Sequence, residues 1–328
     1  MEEKLPFETI EREVLVKKEA ETSDEYGTYP EKRSIEELIK YGIVNINKPQ
    51  GPTSHQVTSY VKDILEIKKA GHSGTLDPNV TGCLPMALEN VTKIVQTLLL
   101  AGKEYICLMH LHSKIPEEKI YETANSFLGN ISQLPPKRSA VKRVERTRQI
   151  YYFKILEIQD QDVLFKIGSQ AGTYIRKICS GFGEKLNTNA HMQQLVRTKA
   201  GPFSDKEWYS LHDLKDAYEF YKEGNDLEIR KIIKPIESAV VHLPHIWLND
   251  LAVNTVTHGA NLAVPGISKL HSEINPEDTV ALFTLKNELI GLGKALITSE
   301  EMIEKPKALA VKTSKIIYPR NVYPKFTK

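Results

Sequence analysis

Ala70-Gly-His-Ser-Gly-Thr-Leu-Asp77-Pro-Asn-Val-Thr-Gly-Cys-Leu-Pro85 is the stretch from which the chain is best read. Between Ala70 and Gly82 it holds three glycines and Pro78, too many for a helix interior, so it is a loop. An aspartate in such a loop most often closes a turn. Three features point further. Leu76 precedes Asp77 and His72 shares the loop, which sets the carboxylate beside an apolar wall. The glycines let backbone approach a ligand closely. Arg176 is the third feature: it falls in the first turn of a helix expected from about Thr173 to Leu186, with Ile175, Ile178 and Phe182 on one face. A cation there opposes the helix macrodipole at ~0.3–1 kcal/mol, a mismatch that a buried carboxylate such as Asp77 would offset.

Upstream of the loop, Gly42-Ile43-Val44-Asn45-Ile46-Asn47 alternates as a strand and stops at Lys48-Pro49-Gln50-Gly51-Pro52. Thr53 and Gln56 then form a capping box for a helix whose apolar face is Val57, Tyr60, Val61, Ile64 and Leu65. Downstream, Tyr105 to His112 and Val163 to Ile167 read as strands. Strands and helices without a steady βαβ rhythm give an α+β class with a mixed sheet. After Leu243-Pro244-His245 the pattern changes to a helix (Leu251 to His258), Gly259, and short strands. These are Ala263 to Ile267, Thr279 to Leu285, Leu289 to Ile297 and Ala308 to Val311, with a turn at Lys286-Asn287-Glu288. They form a small β-barrel-like domain. The expected division is an arm over residues 1–40, a catalytic domain over 41–243 and the barrel over 244–328.

Charge is unevenly spread. Residues 1–40 hold twelve acidic and seven basic side chains, a balance of −5, so the rest of a chain with net charge +2 carries +7. That arm lacks periodicity and reads as a segment that wraps something. Residues 137–148 hold Lys137, Arg138, Lys142, Arg143, Arg146 and Arg148 against Glu145 alone, a local strip suited to a polyanion. The three cysteines are far apart and suggest neither zinc nor disulfides. No apolar run approaches a membrane span and no secretory signal opens the chain, so a cytoplasmic protein is expected. Gly181-Phe182-Gly183 and Gly291-Leu292-Gly293 are lone fragments without a nucleotide-site context, and His110-x-His112 reads as strand surface rather than a metal pair. No cofactor and no metal are expected.

The loop resembles the Gly-His-x-Gly-x-Leu-Asp-Pro-x-x-x-Gly-x-Leu-Pro motif of TruB-family pseudouridine synthases, without a gap, from Gly71 to Pro85. The likeness continues through Lys48-Pro49-x-Gly51-x-x-Ser54, Lys103-x-Tyr105, Gly172-Thr173-Tyr174-Ile175-Arg176 and Ala190-His191-x-x-x-Leu195-x-Arg197-Thr198, covering about residues 42–203. The C-terminal part is similar to a PUA domain, an RNA-binding β-barrel, at Val256 to Ala260, Val264-Pro265-Gly266-Ile267 and Gly291-x-Gly293-x-Ala295. The acidic arm and short basic segment resemble the archaeal, dyskerin-like branch that works with H/ACA guide RNA.

The resemblance implies isomerisation of uridine to pseudouridine in RNA, with Asp77 as the catalytic carboxylate. It leaves open whether that group attacks C1′ or C6, or removes a sugar proton. It implies that Tyr105 stacks on the flipped base, that Arg176 positions Asp77 and that Leu195 lines the pocket. Lys48 and Pro49 would brace the loop, and His72 would help hold the base out of the stack. Lys142, Arg143, Arg146 and Arg148 would belong to a substrate-gripping thumb, and Gly259, Pro265 and Gly266 to the guide-RNA dock. The implied partners are H/ACA guide RNA, substrate RNA and three small accessory proteins, around a single copy of this chain. A stand-alone synthase acting on the tRNA TΨC arm, a non-catalytic RNA-binding scaffold, and a glycoside or nucleoside hydrolase using Asp77 with a second acid, for which no partner carboxylate stands in a comparable motif, are the competing readings.

Overall fold

The structure, a computed structural model, describes residues 3–135 and 142–325. Lys137 and Arg138 of the basic strip lie outside the described residues. In chain order the first elements are β1 (Val14–Val16), α1 (Ile35–Tyr41), β2 (Gly42–Lys48), α2 (Ser54–Ile64), β3 (Ala70–His72) and β4 (Thr81–Leu88). Next come α3 (Val95–Leu100), β5 (Lys103–Leu111), α4 (Glu117–Asn125), β6 (Gly129–Gln133) and β7 (Arg146–Gln159). They are followed by β8 (Asp162–Ser169), α5 (Ile175–Lys185), β9 (Ala190–Ala200), β10 (Phe203–Ser204), α6 (Leu211–Lys222), α7 (Leu227–Ile232) and β11 (Ile233–Pro235). The last are β12 (His245–Leu248), α8 (Asp250–Thr257), β13 (Leu262–Ala263), β14 (Ile267–His271), β15 (Thr279–Phe283), β16 (Leu289–Ala295), α9 (Ser299–Glu304) and β17 (Leu309–Ile316).

These elements form two compact units. The first comprises the residues up to Thr9, Val44–Met86 and Ile94–Glu228. Its sheet runs β2-β4-β9-β5-β8-β7-β6, mixed because β4 lies parallel to β9 while β9, β5, β8, β7 and β6 pair antiparallel. Alternation along β5 buries Cys107, Met109 and Leu111. The buried stripe of α5, Ile175, Ile178, Cys179 and Phe182, meets the same core. There Phe182 stacks on Phe127 with centroids 5.8 Å apart, and Phe153 meets Phe165 edge-on at 4.6 Å. Each large side chain buried in this way contributes ~1.5–3 kcal/mol. All three cysteines are free and buried.

The second unit comprises Ile10–Ile43, Ala87–Lys93 and Ile229–Lys328. Its seven-stranded sheet runs β1-β14-β12-β15-β16-β17-β13 around its own core. The acidic arm supplies β1, which pairs antiparallel with β14 through Val14↔His271, Leu15↔Leu270 and Val16↔Lys269. Farther along the arm, Thr28 N–H donates to Glu288 at 2.9 Å and the Tyr26 carbonyl accepts from Lys286 Nζ at 2.6 Å. The expected strand over Ala263 to Ile267 is interrupted. Pro265 cannot donate to a ladder, and Val264–Gly266 forms a 3₁₀ turn between β13 and β14. The hairpin expected at Lys286-Asn287-Glu288 joins β15 to β16, with Asn287 at φ 64°. Among the described residues no helix is long and apolar enough to cross a membrane.

One glycine of the first unit is tightly constrained. Gly82 has φ +111°, pairs with Arg197 across the parallel β4–β9 contact, and a Cβ there would lie 2.2 Å from the Arg197 carbonyl oxygen. Gly82→Ala is expected to destabilise the protein by at least ~2 kcal/mol through strain and clash together. Thermal or urea unfolding measures it; a midpoint equal to that of the parent would contradict this close approach.

Candidate active site

Asp77 opens a tight turn: its carbonyl accepts from Val80 N–H at 3.0 Å, with Pro78 next in the chain. The backbone thus closes a turn, while the side chain is free for another task. That side chain meets Arg176, with Nη2 3.1 Å from Asp77 Oδ2. The expected burial of this pair is not found: the Arg176 and Asp77 side chains keep 49% and 46% of their exposure. A pair so open contributes only ~0–1 kcal/mol. The contact is accordingly a minor source of fold stability. Arg176 is the second residue of α5, in the first turn as expected.

The loop beneath is held much more firmly. Lys48, at the end of β2, is fully buried, and its Nζ donates to the carbonyls of Pro49 (2.8 Å), Pro78 (3.1 Å) and Val80 (2.9 Å). Burial lowers the Lys48 pKa and the Asp77 carboxylate pulls it back. Ser54, the first residue of α2, accepts from Leu76 N–H at 2.9 Å and donates to the Leu76 carbonyl at 3.2 Å. Gly51 N–H donates to the Pro78 carbonyl at 2.9 Å. From β9, the guanidinium of Arg197, 1% exposed, donates to the carbonyls of Cys83 (2.7 Å) and Gly74 (3.2 Å). The residues flanking Asp77 on both sides are thereby tied to three separate elements.

The apolar wall is present. Leu76, Ile175 and Leu195 belong to one buried cluster, and the half-buried Tyr105 packs against it. On β5, Tyr105 sits in register with Arg197 of β9, and Cys107 with Leu195. Pro49 is exposed and takes part through its carbonyl. His72 lies edge-on to His55, centroids 5.0 Å apart, and its Nδ1 is enclosed with no protein partner.

Sequence reasoning assigned no role to Arg197, Ser54 or Lys103 beyond their place in the motifs. Lys103 is 5% exposed and donates to the carbonyls of Leu98 (2.6 Å) and Ala101 (2.8 Å). Burial, helped by Arg197, lowers its pKa to about 7. The neighbouring Glu104, also buried, accepts from Tyr152 (2.6 Å) and Thr198 (2.7 Å) hydroxyls. His112 Nε2 lies 3.0 Å from His191 Nδ1, and His110 Nδ1 lies 2.6 Å from Asp162. Among the described residues no group of three or more such side chains is arranged to hold a metal ion.

The basic residues divide by position. Lys142 and Arg143 are exposed, whereas Arg146 and Arg148 are half-buried on β7, opposite Gln133 and Ile131 of β6. In the second unit Pro265 and Gly266 line a cavity of about 510 Å³ with Asn249, Asp250 and Asn261. Gly259 is not among its lining residues; it takes φ +96° with open space where a Cβ would lie.

Burial, with His55 and Arg197 adding to it, lowers the His72 pKa from 6.5 to about 4. An unfolded chain takes up this proton near ~6.5, so between the two values the unfolded state binds more protons and stability falls with falling pH. His72→Gln is therefore expected to lose Tm less steeply than the parent between about pH 6.5 and 4.5. Scanning calorimetry across that range checks it; parallel Tm curves would show that His72 takes no part in acid destabilisation.

Comparison with known proteins gives a consistent result. Residues 62–175 match the N-terminal domain of the TruB family pseudouridylate synthases, and residues 176–241 the tRNA pseudouridylate synthase B C-terminal domain. Residues 2–58 match the DKCLD domain and residues 244–317 the PUA domain. The chain is 55% identical over 319 residues to the probable tRNA pseudouridine synthase B of Pyrococcus furiosus, covering 96% of this chain and 94% of that one. Against the protein of the same name from Methanopyrus kandleri the identity is 51% over 323 residues, covering 98% and 95%. A chain in a crystal structure of a Cbf5-Nop10-Gar1 complex superposes with a TM-score of 0.94 at 54% identity, covering 98% of each. A chain in an H/ACA ribonucleoprotein bound to a substrate RNA containing 2′-deoxyuridine superposes at 0.92 and 52% identity, covering 98% and 99%. With a relative at this identity over nearly its whole length, the chain belongs to the TruB family of pseudouridine synthases and carries a C-terminal PUA domain.

Proposed function

We propose that this pseudouridine synthase is the catalytic subunit of an H/ACA guide ribonucleoprotein, present as one copy with guide RNA, substrate RNA and three small accessory proteins in the cytoplasm. The observation that carries the catalytic part is the Asp77–Arg176 contact at 3.1 Å on a loop braced by Lys48 and Ser54. The guided part is supported by the likeness to chains of H/ACA complexes over 98% of this chain.

The reaction breaks the N1–C1′ bond, turns the base and forms C5–C1′; C5 gives up a proton and N1 gains one. No electrons are exchanged, so the site needs a carboxylate, a base-stacking wall and exclusion of water from the detached base. Asp77 supplies the first, oriented by Arg176. Tyr105 supplies the stacking face and lies where the C5 proton leaves, Leu195 and Leu76 form the apolar wall, and neutral His72 fills the place beside the turned-out base. Flipping a base costs a few kcal/mol, and one base–aromatic stack returns ~1–3 kcal/mol. The half-exposed carboxylate suits a nucleotide that arrives from outside on a polymer. Lys142, Arg143, Arg146 and Arg148 grip phosphates, and Gly259, Pro265 and Gly266 dock the guide RNA. Base pairing between guide and substrate then supplies sequence choice, while the protein reads RNA shape and backbone.

A second reading has a specific observation behind it. Relatives over 50% identical bear the name probable tRNA pseudouridine synthase B, which favours tRNA as a substrate; the stand-alone reading takes that action to need no guide. One assay separates the two. Purified protein is incubated with uridine-containing RNA or tRNA, with and without guide RNA and accessory proteins, beside Asp77→Ala, and pseudouridine is scored by primer-extension stops. Product that requires the guide and falls to background in Asp77→Ala is expected. Product on tRNA without guide supports the stand-alone reading, and none under any condition supports a scaffold.

The thumb assignment predicts a change in salt response. Replacing Arg143 and Arg146 together by Glu is expected to weaken RNA binding. It should also make the slope of log affinity against log salt shallower by about one to two, since each lost phosphate contact releases fewer counterions. Filter binding over a salt series measures it, and an unchanged slope removes these residues from the RNA contact.

A further inference from the structure

One buried amide joins the β6–β7 hairpin to the turn that leads into α5. Gln133, 8% exposed, ends β6 and lies in register with Arg146 of β7. Its Oε1 accepts from the Tyr174 backbone N–H at 3.0 Å, and its Nε2 donates to the Tyr174 carbonyl at 3.2 Å. Because the backbone N–H can only donate and the carbonyl only accept, these two contacts fix which way the amide points. Tyr174 is the N-cap of α5 and makes no side-chain cap bond. Two residues on, Arg176 contacts Asp77 at 3.1 Å. Gln133 thus sits between a cation of the hairpin and the residue that starts the helix of the active-site guanidinium.

Adjacent contacts secure the same two pieces. Gln170 N–H donates to the Gln149 carbonyl at 2.8 Å, and Gln149 N–H donates to Gln170 Oε1 at 3.2 Å. Arg148 lies so close to Gly172, at φ +81°, that a Cβ there would be 3.2 Å from its Nε. The turn over 170–174 is therefore laid along the base of the hairpin. Gln133 adds a grip on the cap residue, where a small rotation changes the direction in which Arg176 projects.

We propose that Gln133 is a positioning residue that sets the start of α5, and with it the Arg176 guanidinium against Asp77, according to where the β6–β7 hairpin lies. The proposal rests on the catalytic reading of Asp77 and Arg176 given above. RNA drawn to Arg143 and Arg146 acts on that same hairpin, so substrate engagement and alignment of the carboxylate share two hydrogen bonds. An interaction that serves alignment lowers the rate when removed and leaves binding nearly unchanged.

The test uses the full-length protein assembled with guide RNA, accessory proteins and a complementary uridine-containing RNA. Single-turnover pseudouridine formation and substrate affinity are measured for the parent, Gln133→Leu, Gln133→Glu, Arg176→Lys and the Gln133→Leu/Arg176→Lys double variant. Gln133→Leu is expected to slow the reaction at least about tenfold with affinity within about twofold. In the double variant the second substitution should cost less than about threefold, because either change alone already loses the alignment. Gln133→Glu offers a second route if Gln133→Leu fails to fold. A carboxylate repels the Tyr174 carbonyl, whereas its protonated form donates and accepts as the amide does, so its rate relative to the parent should climb as pH falls. Multiplicative losses in the double variant, a rate loss matched by weaker binding, or no acid recovery in Gln133→Glu would each overturn the proposal. An Asp77→Asn control that still forms product would overturn the active-site reading, a failure seen separately from the outcome of the double-variant comparison.

Discussion

The buried ammonium of Lys48 holds the middle of the Asp77 loop. Lys48 donates to three backbone carbonyls, those of Pro78 and Val80 just after Asp77 and that of the adjacent Pro49. Taking an ammonium out of water costs several kcal/mol unless its donors are matched, and leaving a buried carbonyl unmatched costs about 1–3 kcal/mol each. The arrangement satisfies both demands at once. It also makes the loop's path conditional on β2 ending where it does, since the lysine is the last residue of that strand.

Arg197 does for the loop's outer ends what Lys48 does for its middle. It reaches Gly74 and Cys83 from β9, and the close approach of β4 to that strand is possible only because residue 82 lacks a side chain. The two cations lie under a carboxylate that is nearly half exposed. Rigidity and access are thus assigned to different parts: the backbone is fixed from below by buried donors, and the Asp77 side chain is left open above. The open ion pair with Arg176 is a poor source of stability, and it leaves the Asp77 carboxylate accessible from outside.

Much of this was legible in the residues. The Thr53/Gln56 capping box forms, with helix α2 starting at Ser54. The Arg176 helix and the alternation of β5 stand where periodicity puts them, whereas the loop expected from Ala70 to Gly82 is shorter, since Ala70–His72 and the residues from Thr81 pair as strands β3 and β4. What escaped was set by distant partners. Charged residues read as solvent-facing, so nothing local marks Lys48, Lys103 and Arg197 as buried; their acceptors come from carbonyls remote in sequence or from non-periodic turns. The fourteen-residue β7 was hidden because its first residues, Arg146, Thr147 and Arg148, resemble the basic strip before them. The openness of the Asp77–Arg176 pair was missed for a related reason: the macrodipole argument asks for a partner and is silent on its depth.

The same division explains why the hairpin matters to a site it does not line. Lys48, Ser54 and Arg197 hold the backbone of the Asp77 loop by hydrogen bonds from β2, α2 and β9, none of which comes from α5. Arg176 is carried by α5, whose entry turn is tied to β6 and β7 through Gln133 and Gln149. The carboxylate and its guanidinium therefore belong to separately supported pieces, and their mutual geometry is set where those pieces meet. Fixing Asp77 alone would leave its direction undecided, because an exposed carboxylate on a single χ1 bond has several staggered choices. The Arg176 contact at 3.1 Å corresponds to one of them, and on the proposal made for Gln133 the hairpin bears on where that guanidinium lies.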